Sequence, residues 1–136
     1  MKCLVTGATG FIGNKLTREL MKREHQVHVL VRSKQKLQPE LLEKITVFEG
    51  DLSDPEVINR SMQGCEYVFH LAAFANIWSK DKMLAFKTNE SGTRNILESA
   101  LKNRINKLVF TSSAATLPPS KNKELVNETF SVPEHY

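Results

Sequence analysis

The chain has 136 residues, of which 40% are hydrophobic and 25% charged, with 19 Lys and Arg against 15 Asp and Glu for a net charge of +4. That is ordinary globular composition, at a length that makes one domain and buries roughly two-thirds of the surface the unfolded chain exposes. No apolar run is long enough to span a membrane and the positive charge is spread along the chain, so neither a membrane nor a nucleic acid is expected as partner.

Cys3 and Cys65 sit in apolar stretches and match no metal-ligand spacing, so they read as buried thiols of a reducing compartment. With no secretory leader in front of Cys3-Leu4-Val5, a cytoplasmic location is expected. There is no internal repeat and no low-complexity tract.

In chain order, Lys2 to Thr6 is a short β-prone run ended by glycines. Phe11 to Arg23 then places Phe11, Ile12, Leu16, Leu20 and Met21 at close to helical spacing. The result is strand, glycine turn, helix. Gln26 to Val31 and Ile45 to Phe48 read as the second and third strands, being rich in Val, Ile, Leu and aromatic residues. Asp54-Pro55-Glu56 opens a short crossover helix, because Asp54 can cap and Pro55 fits the first helical position.

Tyr67 to Leu71 is the fourth strand, Ser79 to Asn103 the longest helically periodic segment, and Lys107 to Thr111 the fifth strand. Such alternation predicts a parallel sheet with right-handed crossovers, since each connection is long enough to return to the same edge. After Ser113 the texture changes: Leu117 to Lys123 reads as loop, and the residues to Tyr136 form no convincing element.

The first strand runs into Thr6-Gly7-Ala8-Thr9-Gly10-Phe11-Ile12-Gly13, three glycines at intervals of three that open the first helix. The first glycine permits a tight turn, the second lets backbone N–H groups approach a pyrophosphate, and the third lets the helix pack closely on the sheet. The helix N-terminus adds its free N–H groups and the positive end of its dipole. A Walker A loop is excluded, because Gly13 is followed by Asn14-Lys15-Leu16 where Lys-Ser/Thr is needed. At the end of the second strand, nineteen residues after Gly13, stands Arg32 in place of the acidic residue that would bind ribose hydroxyls. A cation there suits a 2′-phosphate, which favours NADP over NAD, with Lys34 and Lys36 able to assist.

These residues resemble the extended short-chain dehydrogenase/reductases, the NAD-dependent epimerase/dehydratase family. Thr6 to Gly13, Gly50-Asp51-Leu52, His70-Leu71-Ala72-Ala73, Asn89-x-x-Gly92-Thr93 and Ser112-Ser113 fall in the family's order and together span most of the chain. Arg32 and the run Val109 to Ala114 are similar to the dihydroflavonol reductase branch, which uses NADP. The resemblance implies a Rossmann-type doubly wound parallel sheet of five strands in the order 3-2-1-4-5, truncated before its C-terminal part.

Residues 1–115 would then be the dinucleotide-binding domain and 116–136 a loop leading to a catalytic helix and substrate lobe that are absent. The resemblance also implies a cofactor site of Gly7, Thr9, Gly10, Phe11, Ile12, Gly13, Arg32, Asp51, Leu52, Leu71, Ala72 and Ala73, with Asp51 and Leu52 on the adenine. It implies Asn89 as an organiser of water at the site and Ser113 as the group that hydrogen-bonds a reacting oxygen, with Ser112 as the neighbouring alternative. His70 reads instead as a core strand residue. A small-molecule substrate follows, and a homodimer is allowed, since members often pair through the long helix after the fourth strand and its neighbour.

The family's proton donor is the tyrosine of a Tyr-x-x-x-Lys pair, whose lysine lowers the tyrosine pKa. No such pair occurs in this sequence, and Tyr136, the last residue, stands about where the tyrosine is expected. Two functions remain open: the NADP(H)-binding part of an oxidoreductase or epimerase/dehydratase, inactive alone, or a non-catalytic dinucleotide-binding sensor or interaction module. Phe74 to Trp78 could line a substrate pocket or cover core.

Overall fold

In the computed structural model, which describes residues 1–75, 81–117 and 125–130, the short β-prone runs pair side by side and the amphipathic stretches between them cover both faces. The strands are β1 (Lys2–Thr6), β2 (Gln26–Val31), β3 (Thr46–Glu49), β4 (Tyr67–His70) and β5 (Lys107–Phe110). All neighbours are parallel, and the order is β3-β2-β1-β4-β5. This is the expected Rossmann-type arrangement. The chain builds outward from β1 to β3, then returns to β4 on the other side of β1, so the carboxyl ends of β1 and β4 flank a topological switch point.

The helices are α1 (Phe11–Lys22), α2 (Pro39–Leu42), α3 (Pro55–Met62), α4 (Lys82–Phe86) and α5 (Gly92–Lys102). Alternation along β1 decides which layer each residue feeds. Leu4 packs with Val57, Ile58 and Met62 of α3 and Ile96 and Ala100 of α5, while Cys3 and Val5 pack with Leu20 of α1 and with Val27, Val29 and Val31 of β2. Val5, Val29 and Val68 are fully buried, as parallel strands covered on both faces require. Among the described residues no helix is long and apolar enough to cross a membrane.

Several boundaries differ from expectation. The third strand begins and ends one residue later, the fourth and fifth stop at His70 and Phe110, and the first helix stops at Lys22, after which Glu24 takes a left-handed backbone conformation with φ 57°. The segment from Ser79 is not one regular helix: it is described as helical from Lys82, and Lys87–Ser91 form π-helical turns between α4 and α5. Two short elements between β2 and β3 escape periodicity altogether, a 3₁₀ turn at Lys34–Lys36 and α2, because neither is long enough to show a period. Their apolar anchors, Leu37 and Leu41, are buried. Asp54 caps α3 as expected, its carboxylate accepting from the N–H groups of Glu56 and Val57 at 3.0 and 3.2 Å.

Candidate functional site

The glycine turn is shaped by backbone crowding. Gly7 has φ +76°, and a Cβ on it would lie 2.8 Å from the Ala72 nitrogen and the Leu71 carbonyl carbon. Only glycine therefore fits the turn where the end of β4 passes beside it. A Cβ on Gly13 would stand 2.1 Å from the Gly7 carbonyl oxygen, so α1 lies directly against the turn. At Gly10 the space is wider, 3.3 Å to the Gly7 oxygen.

Gly10 is the residue before the first turn of α1, has no side chain to cap it, and its carbonyl takes the N–H of Asn14 at 2.9 Å. The N–H groups of Phe11, Ile12 and Gly13 precede that first helical donor, and the first turn carries no acidic side chain. Donors without helical partners at a positive dipole end are what an anion needs.

Around this turn opens a cleft of about 200 Å³ at the carboxyl edge of the sheet. Gly7, Thr9 and Gly10 line it from β1, Arg32 from β2, Asp51 and Leu52 from β3, and Leu71, Ala72 and Ala73 from β4. Four separated stretches of sequence are thus brought to one concavity. Phe11, Ile12 and Gly13 do not line it: the side chains of Phe11 and Ile12 are exposed, with Lys15 Nζ 4.5 Å from the Phe11 ring centre, and Gly13 is buried against Gly7. Arg32 is exposed, and it forms no ion pair or hydrogen bond among the described residues. Asp51 accepts the Ser53 N–H at 2.9 Å, so it serves its own turn while also facing the cleft.

A buried hydrogen-bond chain fixes the floor. Thr6 Oγ1 accepts from the N–H groups of Leu71 and Ala72 at 3.2 and 3.1 Å, so its own proton goes to His70 Nδ1 at 2.7 Å. His70 must then carry its proton on Nε2 and donate it to Thr93 Oγ1 at 3.1 Å. Burial without a charged partner pushes the His70 pKa down from 6.5 to about 4, and the ring stacks on Phe110 at 5.4 Å. His70 is therefore a neutral core residue that ties β1, β4 and α5 together.

Asn89 lies in the π-helical turns, where its side chain both accepts the Phe74 N–H at 2.7 Å and donates to the Phe74 carbonyl at 3.0 Å. It holds the stretch after β4, and Phe74 itself lines the cleft beside Thr88. Ser113 stands just past the end of β5, where its carbonyl accepts from Thr116 N–H and Oγ1 at 3.1 and 2.7 Å. It is exposed and lies outside the cleft lining. Tyr136 and Asn76 to Trp78 fall outside the described residues.

Sequence reasoning missed Thr6, Thr88 and Asn95, and gave Thr93 only a packing role. Thr6 and Thr93 belong to motifs already noticed. Nothing in the sequence marks Asn95, whose amide reaches the Leu52 carbonyl at 2.8 Å, since a single Asn in a helix carries no period. Among the described residues no cluster of His, Cys, Asp or Glu could hold a metal ion.

Comparison with known proteins agrees with this geometry. The model of the NAD dependent epimerase/dehydratase family matches residues 3–135. Among curated proteins, a dihydroflavonol 4-reductase of Solanum lycopersicum is 37% identical, over 89% of this chain and 35% of its own length. A 2-alkyl-3-oxoalkanoate reductase of Shewanella oneidensis is 34% identical, over 92% of this chain and 32% of its own. Among solved structures, a UDP-glucose 4-epimerase of Thermus thermophilus in complex with NAD superposes with TM-score 0.81 at 29% identity, over 98% of this chain and 44% of that one. The chain thus spans about a third of the curated relatives it matches.

Proposed function

The chain belongs to the NAD-dependent epimerase/dehydratase family, and on that premise we propose that it is the NADP(H)-binding part of an oxidoreductase or epimerase/dehydratase acting on a small molecule. The observation that carries this reading is Arg32: an exposed guanidinium, unpaired among the described residues, on the wall of a cleft whose floor is the glycine turn. A phosphate on the ribose would satisfy it with charge-assisted hydrogen bonds.

The residues present fit the cofactor. The N–H groups of Phe11, Ile12 and Gly13 would hold the pyrophosphate, which explains why the first two matter as backbone while their side chains point to solvent. Asp51 and the Leu52 N–H would hold the adenine, and the small Ala72 and Ala73 let the chain after β4 lie close along the cofactor. Asn89 would keep that stretch in place through Phe74. Ser113 would hydrogen-bond the oxygen of a carbonyl or hydroxyl substrate.

When bound, the nicotinamide gives or takes hydride at the substrate carbon. Since no Tyr-x-x-x-Lys occurs in the sequence, no lysine-tuned tyrosine supplies a proton, and the chain by itself is expected to bind without turnover.

Calorimetric titration with NADPH and NADH tests the reading, on the native chain and on Arg32→Asp. Hydrogen bonds to a charged phosphate predict a roughly ten- to hundredfold preference for NADPH, lost or reversed in Arg32→Asp. Equal affinity of the native chain for both cofactors would remove the role given to Arg32.

A further inference from the structure

Asn95 reaches the wall of the cleft from behind. Its Nδ2 donates to the Leu52 carbonyl oxygen at 2.8 Å, and the N–H of the same peptide unit, on Ser53, donates to Asp51 Oδ1 at 2.9 Å. The Leu52–Ser53 peptide is therefore gripped at both ends. Because the peptide is planar, fixing the carbonyl direction fixes the N–H direction, and through it the rotation of the Asp51 carboxylate. Only one carboxylate oxygen is used in that turn, which leaves the other for the cleft that Asp51 lines.

Two further observations agree. The helix comes close enough for this contact because of Gly92: a Cβ there would lie 2.9 Å from Leu52 Cβ. Asn is also a weak helix former, so its place in the first turn of α5, where the helix continues from the turns before it, calls for a tertiary partner, and the Leu52 carbonyl is that partner. The surroundings of Asp51 suit a flat base, since Leu30 and Leu52 line the same cleft with apolar surface beside the carboxylate.

We propose that Asn95 is a specificity-determining positioning residue: by holding the Leu52–Ser53 peptide it aims the Asp51 carboxylate at the exocyclic amine of the cofactor base, selecting adenine over a base with a carbonyl there. The inference rests on the NADP(H) reading above. A carboxylate accepts from the amine of adenine and repels the carbonyl oxygen of hypoxanthine, so its aim is read out as a ratio of affinities.

The test is to measure dissociation constants for NADPH and for its hypoxanthine counterpart with the native chain, Asn95→Ala, Asp51→Ala and the double variant. The native chain should prefer adenine by about tenfold, and both single variants should fall to within roughly threefold with no further loss in the double. If Asn95→Ala does not fold, Asn95→Ser gives the same readout, its hydroxyl being too short to reach the Leu52 carbonyl. An unchanged ratio in the Asn95 variant, or equal weakening of both dinucleotides, overturns the proposal while leaving NADP(H) binding intact. If the native chain binds neither dinucleotide, the NADP(H) reading falls and this one with it.

Discussion

At the scale of single residues, His70 makes a testable demand on pH. Its pKa is about 4 in the folded chain against an ordinary 6.5, because burial disfavours the charged ring. Between those values the unfolded chain binds the extra proton and the folded chain does not, so stability is full above about pH 6.5 and lost as pH falls toward 4. The full loss is roughly 3 kcal/mol, from about 1.4 kcal/mol per pKa unit. His28, buried and with its ring N–H on the Ser61 carbonyl at 2.7 Å, has its pKa shifted the same way and adds to the same window. Urea titrations at stepped pH should show this slope, and His70→Asn should reduce it to the share left by His28. A pH-independent midpoint between 7 and 5 would contradict the neutral buried ring. The core position of His70 was legible from the sequence, but its place in a hydrogen-bond chain was not, because Thr6 and Thr93 meet it only once β1, β4 and α5 are assembled.

At the scale of elements, the glycine turn separates what each glycine does. A Cβ at Gly13 meets the backbone of Gly7 at 2.1 Å, and neither the turn nor α1 can yield without losing the other. Gly13→Ala should therefore cost about 3 kcal/mol or more. Gly10 has an ordinary extended backbone and only a 3.3 Å contact, so Gly10→Ala should cost about 1 kcal/mol or less while it puts a methyl group at the mouth of the anion site. Chemical denaturation combined with NADPH titration distinguishes them: Gly13→Ala unfolds early, whereas Gly10→Ala stays folded and binds weakly. Equal stability of the two variants would refute the packing argument. The five strands and α1 were readable because their apolar residues repeat at the right period. The π-helical turns at Lys87–Ser91 were not, since they answer to Asn89 reaching the backbone of Phe74 across the fold and not to any spacing within the helix.

At the scale of the whole molecule, the strand order brings four loops to one edge of the sheet, and the candidate site is a consequence of that topology more than of any single motif. Spacing alone indicated Arg32 and the glycine turn, whereas Asp51, Leu52 and the Leu71 to Ala73 stretch were identified through resemblance, and the structure places all of them on one cleft. The same sheet ends in β5, where Val109 and Phe110 are each nearly half exposed, and Leu101 of the neighbouring α5 is 80% exposed. The chain covers 44% of the Thermus thermophilus epimerase.

The central claim is that this cleft is the dinucleotide site, and its most direct test is an amide-resolved NMR titration of the chain with NADP. The account predicts saturable shifts confined to the turn from Gly7 to Gly13, to Arg32 and Ser33, to Asp51 through Ser53, and to Leu71 through Phe74. Shifts that leave the glycine turn untouched, or map to the opposite edge of the sheet, would contradict it.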